Sequence, residues 1–168
     1  VTVTAADAST SGAITLTATS GSGTKTYTSV DTNDGNISLT ATQGAIVLGT
    51  IASDTGVAGA NDITVTATAG AITVNTSVTS DDTVSLTANT TINDNAADDV
   101  ADVLGSAVTL SAQTGIGTTS SFDVDVVTVT SATTVTGGIA LNLLDADNGG
   151  VTVTAADAST SGAITLTA

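Results

Sequence analysis

The chain has 168 residues and lacks His, Cys, Met, Trp, Pro, Arg and Glu; one cation, Lys25, faces sixteen Asp, for a net charge of −15. Without His or Cys it has no ordinary general base near neutral pH, no thiolate and no soft-metal ligand, and its acidity argues against nucleic-acid partners. We therefore expect neither enzymatic activity nor a required cofactor. The 38 Thr and 40% hydrophobic residues indicate a folded, strand-rich chain.

An exact long repeat organises the sequence. Residues 1–18 and 151–168 both read VTVTAADASTSGAITLTA. This predicts a 150-residue tandem unit, residues 1–150, followed by the start of the next, so that 1–168 form one continuous segment of a longer polypeptide. No apolar run approaches the roughly 18 residues needed to cross a bilayer, so no transmembrane segment is expected.

A shorter repeat of alternating aliphatic and hydroxyl residues recurs along the unit and predicts short strands. The intervals between successive copies are 19–26 residues, by the sequence numbering. The copies begin at Ile14, Ile37, Ile63, Val84, Val108, Val127 and Val151.

The spacing of these strands favours a coiled architecture. A second strand follows the first after a tight turn in residues 37–48 and 63–74, with Gly44 and Gly70 at the corners. Small apolar residues suit a thin core in which each coil stacks on the next. The sequence therefore predicts an all-β fold, a parallel β-helix (β-solenoid) with about 6–7 coils per unit. Tandem immunoglobulin-like sandwiches are the alternative.

Alternation along each strand predicts which residues face outward. Ile63, Val65 and Ala67 point inward on this pattern, while the intervening Thr form an outer hydroxyl face. Such a face resembles the flat Thr surface of ice-binding β-solenoids and offers an alternative function in binding ice or polysaccharide. The candidate binding residues are Thr15, Thr17, Thr64, Thr66, Thr128 and Thr130.

Acidic turns precede most of the predicted strands. Stacked in register, their carboxylates would form a column along one edge, where repulsion favours a hard cation such as Ca²⁺. Ordinary solvated turns explain the same residues. The candidate ligands are Asp34, Asp62, Asp81, Asp82, Asp125 and Asp147; residues 93–103, with four more Asp, are predicted to be a solvent-facing loop.

Coils such as GNISLTATQGAIVLG at 35–49 and GAITLTAT at 12–19 resemble the repeats of filamentous-haemagglutinin-type adhesins and other giant repetitive bacterial surface proteins. The resemblance covers nearly the whole chain. It implies a right-handed parallel β-helix, exported to the cell surface, that acts as a stalk, adhesin or fibre. It transfers no binding residue to this sequence.

Together these features predict a non-catalytic structural segment of an extracellular bacterial fibre or adhesin shaft. Its expected partners are copies of itself, end to end or side by side, and cell-surface glycans. The alternatives are the Thr-face binding module and tandem calcium-dependent β-sandwich adhesin repeats.

Overall fold

A computed structural model describes residues 1–8, 12–53, 61–96, 98–145 and 149–168 of the chain. Its regular structure consists of strands, and these residues include no helix that could cross a membrane. The strands are β1 (Thr2–Val3), β2 (Ala6–Ala8), β3 (Ile14–Ala18), β4 (Lys25–Thr32), β5 (Ile37–Ala41), β6 (Ile46–Ser53), β7 (Ile63–Ala67), β8 (Ile72–Ser80), β9 (Thr83–Ala88), β10 (Thr91–Asp94), β11 (Val103–Ala112), β12 (Gly115–Ile116), β13 (Phe122–Thr134), β14 (Ile139–Leu144), β15 (Thr152–Val153), β16 (Ala156–Ala158) and β17 (Ile164–Thr167).

Parallel pairing joins all these strands into one sheet that winds through about six turns. Like residues stack on like: Ile37 pairs with Ile14 on one neighbour and with Ile63 on the other. The predicted β-solenoid is thus confirmed. The sandwich alternative is wrong, because its sheets are built from antiparallel neighbours.

Each coil has two sides, which differ in how their strands run. In the first part of the unit, side A consists of five stacked strands: β3, β5, β7, β9 and residues 107–112 of β11. These strands are straight, since buried residues alternate strictly, as at Ile37, Leu39 and Ala41. Side B begins with β1 and β2, then β4, β6 and β8.

The strands at the start of side B are bent. In β4 the buried positions include Tyr27 and Val30, a step of three residues that breaks the alternation. The chain turns a corner between them, so that both halves of the strand face the core. A buried hydroxyl at the end of each of these bent strands donates to a carbonyl next to a turn: Thr32 and Ser53 both donate to Gly35, each at 2.7 Å, and Ser80 donates to Asn61 at 2.5 Å.

Stacked aliphatic side chains form the core between the two sides. On side B a column begins with Lys25 and continues through Ile46 and Ile72 to Ile92, each in register with the next. Lys25 is 1% exposed, and its ammonium group donates to the carbonyls of Gly21, Gly23 and Gln43 at 2.5, 2.5 and 2.9 Å. The chain's single basic side chain therefore lies inside the solenoid.

Close backbone stacking at the corners requires glycine. A Cβ on Gly70 would collide with the carbonyl oxygen of Gly44 in the coil below. Gly44 itself has φ +82°, a conformation that L side chains rarely adopt. Both predicted corner glycines therefore allow the backbones of adjacent coils to approach closely at the turns.

The two sides exchange strand types towards the end of the unit. Side A continues into residues 128–134 of β13, where pairing shifts past Thr130 and the buried residues become Val129, Ala132 and Thr134. This three-residue step makes the strand bent. Side B continues through strands interrupted by loops into β14, where Ile139 and Leu141 are buried on the straight pattern.

The structure corrects the sequence prediction at Val127. The repeating pattern predicts that Val127 points inward, yet it is 66% exposed, because the buried positions step by three residues from Val126 to Val129 at the corner between the two sides. The copies beginning at Val127 and Val151 belong to the bent type of strand, because residues 128–129 pair with 152–153.

Candidate functional site

Four of the six predicted Thr binding residues lie in two ordered hydroxyl columns on the outer surface of side A. Thr15 and Thr64 belong to the first column, and Thr17 and Thr66 to the second. The columns run Thr15–Ser38–Thr64–Ser85–Thr109 and Thr17–Thr40–Thr66–Thr87–Ser111. They make a regular array one strand spacing, about 4.8 Å, apart along the stack.

Thr128 and Thr130 lie outside these two columns. Thr128 pairs with Ala107 and with Thr152. Thr130 is the residue at which the register between β11 and β13 shifts, so it has no counterpart in the neighbouring strand. The hydroxyl array is therefore regular only along the straight part of side A.

The predicted acidic turn residues occupy several register positions. Asp62 lies beside Asn36, whose side-chain oxygen accepts a hydrogen bond from the Asp62 amide at 3.0 Å. Asp82 lies one coil below Ser106, whose amide donates to its carbonyl at 3.1 Å. Asp34 lies in the turn after β4.

Asp81 and Asp125 line one open groove together with Asp145. The groove measures about 400 Å³, and Asp125 contributes from within β13, in register with Leu104 and Leu144, rather than from a turn. Asp147 lies outside the described residues.

A buried carboxyl cluster occupies the bend of side B, where the two loops interrupt the strands. Asp94, Asp102 and Asp123 are 7%, 3% and 3% exposed, and each offers an oxygen within 4.8 Å of the others. Asp94 is the last residue of β10 and is in register with the buried Val74, so its side chain takes the inward-facing position that Val74 has in the neighbouring coil. We call these three residues the acidic trio.

Backbone stacking positions the trio. The Asp102 amide donates to the Asp123 carbonyl at 2.9 Å, and the Asp123 amide donates to Oδ2 of Asp102 at 3.0 Å. The two oxygens of Asp94 accept from the Ala96 amide at 2.7 Å and from the Ser120 hydroxyl at 3.2 Å. Within the described residues every buried side-chain polar atom has such a partner.

Burial makes Asp102 and Asp123 bind protons more strongly than ordinary carboxyls. Loss of solvation raises the pKa of Asp102 to about 8; the Asp123 amide opposes the shift and the charges of Asp94 and Asp123 add to it. Burial likewise raises the pKa of Asp123, against a hydrogen bond from Asn142. The trio therefore holds at least one proton near neutral pH.

The trio's donor set is chemically suited to a hard cation, since carboxylate oxygens are the ligands that Ca²⁺ prefers. Three oxygens supply fewer than the six to eight ligands of a calcium site, and binding would have to displace the proton on Asp102. The same geometry is satisfied by carboxyl groups that share protons.

Sequence reasoning missed the trio. The sequence predicts that residues 93–103 are a solvent-facing loop, which is wrong for Asp94 and Asp102, because both are buried. A usable signal was present, because Asp94 follows Ile92 by two residues and so lies on the same face of the strand as that buried residue.

Comparison of the chain with known protein families, with curated proteins and with solved structures gives no match.

Proposed function

We propose that this chain is a non-catalytic structural segment of an extracellular bacterial fibre or adhesin shaft. The observation that carries the proposal is the single 17-stranded parallel sheet, in which each coil hydrogen-bonds to the next and like side chains stack. A stack of this kind transmits load along its axis through backbone hydrogen bonds and excludes water from its core.

The tandem repeat extends this argument to a longer array. Residues 164–167 pair in register with β14, although they repeat the sequence of residues 14–17, which pair with β5. The same sequence thus pairs with the coil that precedes it in one copy and with the coil that follows it in the other. Such a segment suits a stalk that is lengthened by adding units.

Surface localisation, partner copies and glycan partners belong to the same proposal. They are supported by the resemblance of the coils to filamentous-haemagglutinin-type repeats and by the anionic composition. The proposed role requires no cofactor, and Ca²⁺ at the acidic turns stays a prediction.

The experiment is electron microscopy and fibre diffraction of purified chains with increasing numbers of units. We expect rods of uniform width that lengthen by about 31 Å per unit, and a meridional reflection near 4.8 Å. Separate beads joined by linkers would refute the proposal.

The hydroxyl columns of side A favour a second candidate function, binding to ice or polysaccharide. Their spacing is regular through residues 14–112. Thermal hysteresis or glycan binding that is lost in Thr64→Val/Thr66→Val, with the fold intact by circular dichroism, would support this function. Unchanged binding in the variant would exclude these columns.

A further inference from the structure

The two copies of the repeated sequence lie on opposite sides of the solenoid. Residues 2–8 lie on side B, where they pair with the bent strand β4. Their identical counterparts 152–158 lie on side A, where they pair with residues 128–134. In the same way β3 lies on side A and β17 on side B.

The two copies lie on opposite sides because the chain makes an odd number of half-turns between them. From β1 and β2, side B passes through β4, β6, β8, the pair β10 and β11, the pair β12 and β13, and β14 before it reaches β17. The chain crosses between the sides after each of these steps, and the repeat begins again while the chain is on side A. One unit therefore spans six and a half coils.

The exchange of strand types makes the following unit fit. Residues 1–8 need a bent neighbour and residues 14–18 a straight one. The last coils supply both on the opposite sides: β13 is bent on side A, and β14 is straight on side B. The hydroxyl of Thr134 donates to the Gly137 carbonyl at 2.5 Å, the same contact that Thr32 makes with Gly35.

Glycine stacking repeats at both boundaries. A Cβ on Gly35 would lie 2.7 Å from the Gly12 carbonyl oxygen, and a Cβ on Gly162, the counterpart of Gly12, would lie 2.5 Å from atoms of Gly137. The same glycine thus packs closely against the coil below in one copy and against the coil above in the other.

We propose that residues 151–168 are the docking surface for residues 25–41 of a following identical unit, and that this junction turns each unit half a revolution about the long axis relative to the one before. The proposal rests on the proposed shaft. Every lateral feature, such as the hydroxyl columns, then appears alternately on opposite sides, and the array presents any partner-binding surface in both directions.

The test uses a chain in which a second copy of residues 1–150 precedes the full sequence. The protein has no Cys, so nitroxide labels can be placed singly. The first label pair is Thr64→Cys in both units; the second is Thr64→Cys in the first unit and Asp31→Cys in the second. Both positions are exposed.

Pulsed electron paramagnetic resonance measures the two distances. With half-turn junctions the first pair lies across the body at about 37 Å, from 6.5 coils of about 4.8 Å along the axis and about 20 Å between labels that project roughly 5 Å outward from sheets about 10 Å apart. The second pair lies on one side, five coils or about 24 Å apart. Units of six or seven whole coils would make the two distances nearly equal and would overturn the proposal. Microscopy of the same samples separates the two ideas, because beads instead of a rod would refute the shaft itself.

Discussion

Asp102→Asn should make the protein more stable at neutral and alkaline pH while leaving acid stability nearly unchanged. The amide oxygen of Asn can still accept from the Asp123 amide, and its NH₂ group can donate to Asp94. In the wild type, burial raises the pKa of Asp102 to about 8, far above its value in the unfolded chain. The folded state therefore retains a proton that the unfolded state releases above about pH 4.

The sign follows from proton linkage. Because the folded chain binds more protons between pH 4 and 8, the free energy of unfolding falls as pH rises through this window, by at most about 1.4 kcal/mol per pH unit for one site. Residual solvation reduces this slope, and we expect the variant to gain roughly 2 kcal/mol over wild type by pH 8.

The assay is urea denaturation in EDTA from pH 4 to 9, followed by far-ultraviolet circular dichroism. Asp31→Asn, at an exposed position, is the matched control for removing one negative charge. Parallel stability curves for wild type and Asp102→Asn would refute the reasoning. If millimolar Ca²⁺ stabilised wild type but not Asp102→Asn, the trio would bind a cation and the shared-proton account would be wrong.

Three further substitutions, two of them paired with a control variant, test the stack. Gly70→Val should lower the free energy of unfolding by about 3 kcal/mol or more, because its side chain collides with backbone, whereas Gly23→Ala, with nothing within 4 Å of its Cβ, should be nearly neutral in thermal denaturation. Val129→Asp should abolish cooperative melting and Val127→Asp should not; the reverse result would mean that the corner between sides B and A lies elsewhere. Ile63→Ala should cost about 2–5 kcal/mol in urea titrations, and a loss below 0.5 kcal/mol would contradict tight interior packing.

The sequence was sufficient to predict the coil and most of its interior. Strict alternation in residues 14–18, 37–41 and 63–67 specifies one inward face, and recurrence of that pattern predicts stacking of like on like. The corner role of Gly44 follows from its place between two alternating runs. These features are local, so a single sequence displays them.

The bent strands could not be predicted in this way. The buried positions step by three residues from Val126 to Val129, where the chain turns the corner from side B to side A, so a period-two pattern assigns Val127 to the wrong face. At Thr130 one extra residue then shifts the register with β11. Whether Asp102 is buried depends on how two loops close over the bend, which alternation does not encode. The half coil per unit follows from counting every crossing between side A and side B. The sequence repeat treats straight and bent strands as copies of one motif, so counting its copies does not show on which side a unit ends.

The position of Lys25 has a consequence for how such rods crowd together. Its ammonium group is enclosed by three carbonyls, so the outer surface offers no lysine or arginine to an acidic neighbour. Counterions from the medium must then set the distance between adjacent rods. At 0.1 M salt the repulsion decays over about 10 Å, and bundles should tighten as ionic strength increases and swell on dilution.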